Sequence, residues 1–281
     1  GEKPVGNGPY KFKSWKHNDS IQVVKNPDYN GNFKAANDGL NFKIYTAANA
    51  SYADIQSGNL DISQNVPTSA LKTFTKDPKV NSYSKASSGI AAFTIPSNLE
   101  HFTGEEGVLR RQAISMALDR KQITEKVLSG TATPVTDFAA PTISGHSDKL
   151  KGSENLEYNP KKAKELWAKA DAISKFTGTF TLSYNADGDA KSLYDAMANQ
   201  LKNNLGIDAA TNPVPTFQEF RDEVTKRQLK GGVKGGWQAD YPTIENYLAP
   251  IYATSAADGH GANDGDYKNP KFDALLDEAA K

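Results

Sequence analysis

Apolar and polar positions along the chain alternate in two different rhythms. Near the start, Tyr10 and Phe12 alternate with lysines, and Ile21, Val23 and Val24 follow after the polar HNDS. A period of two on either side of a polar connection predicts a β-hairpin. NFKIYT (41–46) predicts a further strand, residues 51–56 a short helix ended by Gly58, and PTSALKTF (67–74) one more short helix. VNSYSKA and IAAFTIP flank Ser87, Ser88 and Gly89, which predicts a second hairpin. Up to about Pro96 the expectation is therefore hairpins with short helices.

Beyond that point the helical rhythm takes over. In EGVLRRQAISMALDRKQITEKVLSG, Leu109, Ala113, Met116 and Ala117 form one stripe. Asp119 with Gln122 resembles a capping box that restarts the helix, and Gly130 ends it. TPVTDFAAPTISGHSDKL predicts irregular surface structure. NPKKAKELWAKA predicts a helix capped by Asn159, with Ala163, Leu166, Trp167 and Ala170 inward. From residue 176 the order is strand (FTGTFTLSYN), helix (DAKSLYDAMANQLKNNLG), strand (IDAATNPV), helix opened by a Thr216/Glu219 capping box, and a glycine-rich strand ending at Trp237. This alternation predicts an α/β layer with partly parallel pairing. Ligands in such sheets favour the carboxyl ends of the strands. The last stretch, NPKFDALLDEAAK, opens like a helix at Asn269 and Pro270, carries the stripe Phe272, Leu275, Leu276 and Ala279, and shows no stop signal. The expectation is a piece of a longer protein.

Composition narrows the partners. Lys and Arg (33) balance Asp and Glu (33), so no positive field gathers nucleic acid or anionic lipid. Cysteine is absent, which removes disulfides, thiolate metal sites and cysteine nucleophiles within the chain. The sequence contains no apolar run of membrane-spanning length.

Motifs of common chemistry are missing: no Walker loop, GxGxxG, HExxH or GxSxG occurs. His17, His101, His146 and His260 are scattered without ligand spacing, and GHGANDGD (259–266) lacks the acidic spacing and final Glu of a calcium hand. No metal site and no cofactor is expected. The segment that asks for explanation is GGWQADYPTIENYL (235–248). One reading makes Asp240 the cap of a helix opened by Pro242, with Trp237 in the core. The other makes the segment a ligand site. Gly235 and Gly236 then expose backbone to an extended guest, Trp237 and Tyr241 offer flat apolar contact, and Asp240 receives a cation.

Several segments together resemble family-five extracellular solute-binding proteins, the oligopeptide- and dipeptide-binding subunits of ABC importers. GNGPYKFKSWKHNDSIQVVKNPDY resembles the family's opening hairpin, IQSGNLDI its L-x-x-G-x-x-D segment, and VLRRQAISMALDRKQITEKVLSGTATPV its R-x-A helix and following turn. NPKKAKELWAKA, GGWQADYPTIENYL and YKNPKFDALLDEA resemble later segments in the same order. The resemblance implies an α/β, two-lobed fold of the periplasmic-binding type (type II, peptide-binding subclass). It implies an incomplete first lobe at 1–96 and most of the second lobe at 97–281, the return to the first lobe being absent. It implies a non-enzymatic, monomeric, extracytoplasmic protein that binds oligopeptides or dipeptides in an inter-lobe cleft and passes them to permease subunits. Any membrane association would come from a lipid anchor upstream of Gly1. By position, Asp240 matches the residue that holds a peptide's α-amino group and Trp237 the cleft tryptophan. Lys234 falls where peptide binders place a basic side chain toward the ligand's carboxylate, and Arg227 is a further candidate. The alternatives are a non-peptide solute such as an oligosaccharide or nickel complex, a glycan hydrolase using paired carboxylates, and a chaperone-like or adhesive protein reusing the fold.

Overall fold

The computed structural model describes residues 2–279. The chain divides into two compact units, Gly1–Val66 and Pro67–Lys281.

The first unit is an antiparallel meander of β1 (Tyr10–Lys16), β2 (Ser20–Lys25) and β3 (Gly39–Lys43), followed by α1 (Ala48–Ser57). Phe12, Val23 and Leu40 share one register line, and Ile21 and Phe42 are paired two positions away on the same face. Gly58 closes α1 in the left-handed region at φ 77°, where a glycine is free of strain. Lys43 and the Tyr45 hydroxyl both bond the Asp54 carboxylate, at 2.8 and 2.5 Å, and so tie α1 to the chain that leaves β3.

The second unit holds β4 (Gly89–Thr94), α2 (Gly104–Met116), the short α3 (Arg120–Gln122), α4 (Pro160–Ile173), β5 (Phe180–Asn185), α5 (Lys191–Leu205), β6 (Ala209–Val214), α6 (Phe217–Thr225), β7 (Gly232–Gln238), α7 (Glu245–Tyr252) and α8 (Pro270–Ala279). Its sheet has the order β4-β7-β5-β6. β5 runs parallel to β6 and β7, and β4 is antiparallel to β7. Alternation along β5 sends Phe180, Leu182 and Tyr184 into one core with residues of α2, α4 and α5, among them Ala113, Ile114, Trp167, Tyr194 and Leu201. Val214 and Val233 join Phe220 and Val224 of α6, with Leu229, in a second core. Helices thus cover the sheet on two sides, as its parallel strands require.

The predicted caps are in place. Asp119 accepts from the Gln122 N–H at 2.8 Å, Asn159 from the Lys162 N–H at 3.0 Å, and Thr216 with Glu219 forms a complete capping box. Residues 123–127 continue α3 as a π-turn. Among the described residues, no helix is long and apolar enough to cross a membrane.

Two expectations change. Residues 81–88 form no strand, so the second hairpin is absent. β4 instead pairs with β7 along its whole length, from Gly89 opposite Gln238 to Thr94 opposite Val233. The Ser-Gly turn signal serves a local contact, the Gly89 N–H donating to the Ser87 hydroxyl at 3.1 Å. PTSALKTF gives separate 3-10 turns at Thr68–Ala70 and Phe74–Lys76, the first held by Asp189, which accepts from the Thr68 N–H and hydroxyl. The compact units part between Val66 and Pro67, and β4 stands in the sheet of the second.

Candidate ligand-binding site

β7 is paired unequally along its two edges. β4 occupies one edge from Val233 to Gln238. β5 occupies the other only opposite Gly232 and Val233. Among the described residues, 234–238 therefore have no strand on that second edge. The peptide groups of a strand point alternately to either side, so this edge presents backbone donors and acceptors to any extended chain laid beside it.

The two glycines are not equally constrained by β4. A Cβ on Gly236 would lie 2.4 Å from the Ile90 carbonyl of β4, and its φ of 144° is one that side chains avoid. Gly236 is thus required by the strand already present. Gly235 is less constrained, since its Cβ would meet the Thr94 hydroxyl at 3.4 Å and the Ala92 carbonyl at 3.9 Å. The expectation that the glycines serve a guest directly is therefore narrowed to Gly235 and to the open edge.

At the end of β7, Trp237 packs with Ile90, Ala239 and Ile244 against a cluster of Ala139, Ala140, Ile143 and Tyr247. The irregular stretch that carries Ala139 and Ala140 is held by buried Asp137, whose carboxylate accepts from the Phe138 and Ser147 N–H groups at 2.5 and 2.6 Å. His146 bonds the Ala139 carbonyl and Asp148. Burial pulls its pKa down, but those bonds and the nearby Asp137 and Asp148 charges outweigh it and raise the value.

Asp240 caps no helix. α7 begins at Glu245, with Ile244 before it making no side-chain cap. The Asp240 carboxylate is exposed and, among the described residues, makes no hydrogen bond or ion pair. Its backbone N–H is fixed by Asn246, whose Oδ1 accepts from it at 2.7 Å and from Trp237 Nε1 at 3.1 Å. Tyr241 is exposed, and its hydroxyl donates to Glu245 at 2.6 Å. That bond to Glu245 holds the phenol above its usual pKa, Asn246 opposing and the Asp240 charge adding to the effect.

Lys234 is half-buried, and its Nζ donates to Asn185 Oδ1 at 2.6 Å. Asn185 in turn donates to Asp187 at 2.6 Å, and Asp187 accepts from the Phe217 N–H at 2.9 Å. Burial lowers the Lys234 pKa and the Asp187 charge opposes this. Among the described residues Lys234 makes no ion pair, so its remaining donors are uncommitted.

Arg227 stands apart. Its Nε and Nη2 grip Asp266 at 2.8 and 2.6 Å, Nη1 donates to the Val224 carbonyl, and Nη2 also reaches the Asn263 carbonyl. The guanidinium fork is spent on holding the loop 258–266 to the end of α6. Asn246, by contrast, was not singled out from the sequence, although it touches Trp237 and Asp240. A single amide inside a helical pattern carries no signal of what it meets. Among the described residues, no group of His, Asp and Glu is arranged to hold a metal ion.

Residues 1–259 match the family described as Bacterial extracellular solute-binding proteins, family 5 Middle. The chain belongs to this family, whose members bind solutes. It is 29% identical over 282 residues to Heme-binding protein A of Haemophilus influenzae, across 99% of this chain and 49% of the relative. It is likewise 29% identical to the Dipeptide-binding protein DppE of Bacillus subtilis, across 98% and 49%. Among solved structures, DppA from Helicobacter pylori in complex with the peptide STSA aligns with a TM-score of 0.86 at 22% identity, over 99% of this chain and 52% of that one. AppA of Bacillus subtilis in complex with a nonapeptide aligns at 0.79 and 26% identity, over 98% and 55%. The fold class is that of the type II peptide-binding proteins. The chain spans about half the length of the curated relatives it matches.

Proposed function

We propose that this chain is part of an extracytoplasmic solute-binding subunit of an ABC importer, and that the full-length protein binds oligopeptides or dipeptides without catalysis of its own and delivers them to membrane permease subunits. The observation that carries the reading is the open edge of β7 at 234–238, with the unengaged Asp240 carboxylate beyond its end. A peptide laid on that edge gains backbone hydrogen bonds whatever its sequence. Trp237 flanks it, Asp240 receives its α-amino group, and Lys234 supplies a cation toward its carboxylate. Lys234 is a point charge held by Asn185, not a fork, so it fixes the carboxylate's distance less strictly than an arginine would. The relatives named for dipeptides, and AppA solved with a nonapeptide, support this class of ligand.

The test is calorimetry on the full-length protein. Asp240→Asn should weaken binding of a free peptide by roughly ten- to a hundred-fold, the loss of one hydrogen bond to a charged group. The same peptide with an acetylated N-terminus has no cation to lose, and its affinity should hardly change between the two proteins. Equal effects on both ligands would remove Asp240 from the amino-group role.

A further inference from the structure

We propose that Asn246 is the positioning residue of this site: it holds Trp237 and the backbone of Asp240 in the arrangement that receives a peptide's amino end, and so sets affinity without touching the ligand. This rests on the peptide reading above.

The case begins with burial and direction. Asn246 is 3% exposed, one residue into α7, and its side chain points back toward the end of β7. Two donors from different parts of the segment, Trp237 Nε1 and the Asp240 N–H, converge on its Oδ1. Only an oxygen satisfies two N–H groups at once, so the orientation of the amide is dictated by its neighbours. The third member is Tyr241. Its hydroxyl donates a hydrogen bond to Glu245 at 2.6 Å.

The arrangement sorts the polar groups of the segment. Glu245 is occupied by Tyr241 and Asn246 by Trp237 and the Asp240 backbone, whereas the Asp240 carboxylate has no partner among the described residues. Residues 239–244 lie in neither strand nor helix, and the amide oxygen ties the start of this stretch, at the Asp240 N–H, to α7. Turning the indole N–H of Trp237 toward solvent gives up one of the two hydrogen bonds that this buried oxygen accepts. The site is then preorganised, and binding need not order it.

The experiment compares full-length wild type, Asn246→Ala and Asn246→Asp. Asn246→Asp keeps an oxygen where Trp237 and Asp240 need it. The first readout needs no ligand: the Trp237 indole N–H resonance in 15N-labelled protein, assigned with Trp237→Phe. The second is calorimetric affinity for trialanine. Asn246→Ala should shift the indole resonance and speed its exchange with water, and weaken trialanine binding by about ten-fold. Asn246→Asp should keep the resonance near its wild-type position and bind better than Asn246→Ala. A lower melting temperature with the indole signal and affinity both unchanged would overturn the proposal and leave Asn246 a packing residue. A shifted indole with unchanged affinity would also overturn it. Should wild type bind no trialanine, the peptide reading is what fails, and an unmoved indole in Asn246→Ala would separately sink the role assigned to Asn246.

Discussion

The two compact units handle their apolar residues in opposite ways. In Pro67–Lys281 the sheet has helices on two sides, and Phe180, Leu182, Leu201 and Phe220 are almost wholly inaccessible. In Gly1–Val66 the sheet is as well hydrogen-bonded, yet Ser51 is the only buried residue among those described. Phe33 is 82% exposed, Ile62 79% and Phe42 53%. Backbone pairing alone therefore does not make a core. A three-stranded sheet with one short helix cannot enclose its own apolar face, whereas a sheet fed by α2, α4, α5 and α6 can.

The comparison is broken most directly by separating the units. Residues 67–281 should melt cooperatively on their own, and residues 1–66 should show a broad transition with strong binding of a hydrophobic dye. Cooperative melting of 1–66 alone, seen by calorimetry, would mean that its exposed face is no handicap.

A single substitution probes the second unit's interior. Arg110 is fully buried against the rings of Trp167 and Phe176, at 4.5 and 5.3 Å from their centres, and it bonds Glu106, Asp171 and the Ser174 carbonyl. Removing one partner of a buried pair costs about 3–5 kcal/mol, so Arg110→Ala should lower the urea midpoint of this unit accordingly. Glu106 links this cluster to pH. Burial pushes its carboxyl up, but hydrogen bonds from His101 and Arg110 together with the Arg110 charge outweigh that and hold it below the usual value of 4.5. A depressed carboxyl stabilises the fold above its unfolded pKa, and that contribution is lost as pH falls through the folded value. Stability should therefore drop as the solution is acidified below about 4.5, and Glu106→Gln should flatten that limb of the curve.

The smallest effect is expected in the first unit. Phe42→Ser removes a large aromatic that is already half in water, and should change the stability of β1–β3 by less than about 0.5 kcal/mol, measured by hydrogen exchange of their amides. A cost several times larger would show that this face is covered in solution.

Much of this fold could be read from the chain itself because its signals are local. The caps at Asp119, Asn159 and Thr216, the stripes of α4 and α5, and the closing glycines Gly58 and Gly206 act within a turn or two of helix. The pairing of β4 with β7 is not local. Nothing in IAAFT names a partner far along the chain, and the nearest turn signal pointed to the wrong one. At the site, Trp237, Asp240 and Lys234 stood out by composition and by the family motif, and the structure puts them along and just beyond one strand. Arg227 stood out by charge alone, and its charge is consumed by Asp266. Asn246 escaped notice because its importance lies in what converges on its oxygen, which depends on how α7 meets the end of β7.

The half-open edge of β7 also bears on solubility. A strand with one row of unpaired peptide groups recruits any extended segment, including the same strand of another molecule. Gly236 is exposed there without a side chain, and the exposed Gln238 carries no charge to keep a neighbour away. The nearest deterrent is the ammonium of Lys234, held in place by Asn185. Two copies aligned edge to edge would set two such charges against each other, while a single peptide would bring its own carboxylate to meet one. The lysine to which we assign a guest's carboxylate thus also discourages the open-ended stacking that an unguarded sheet edge invites.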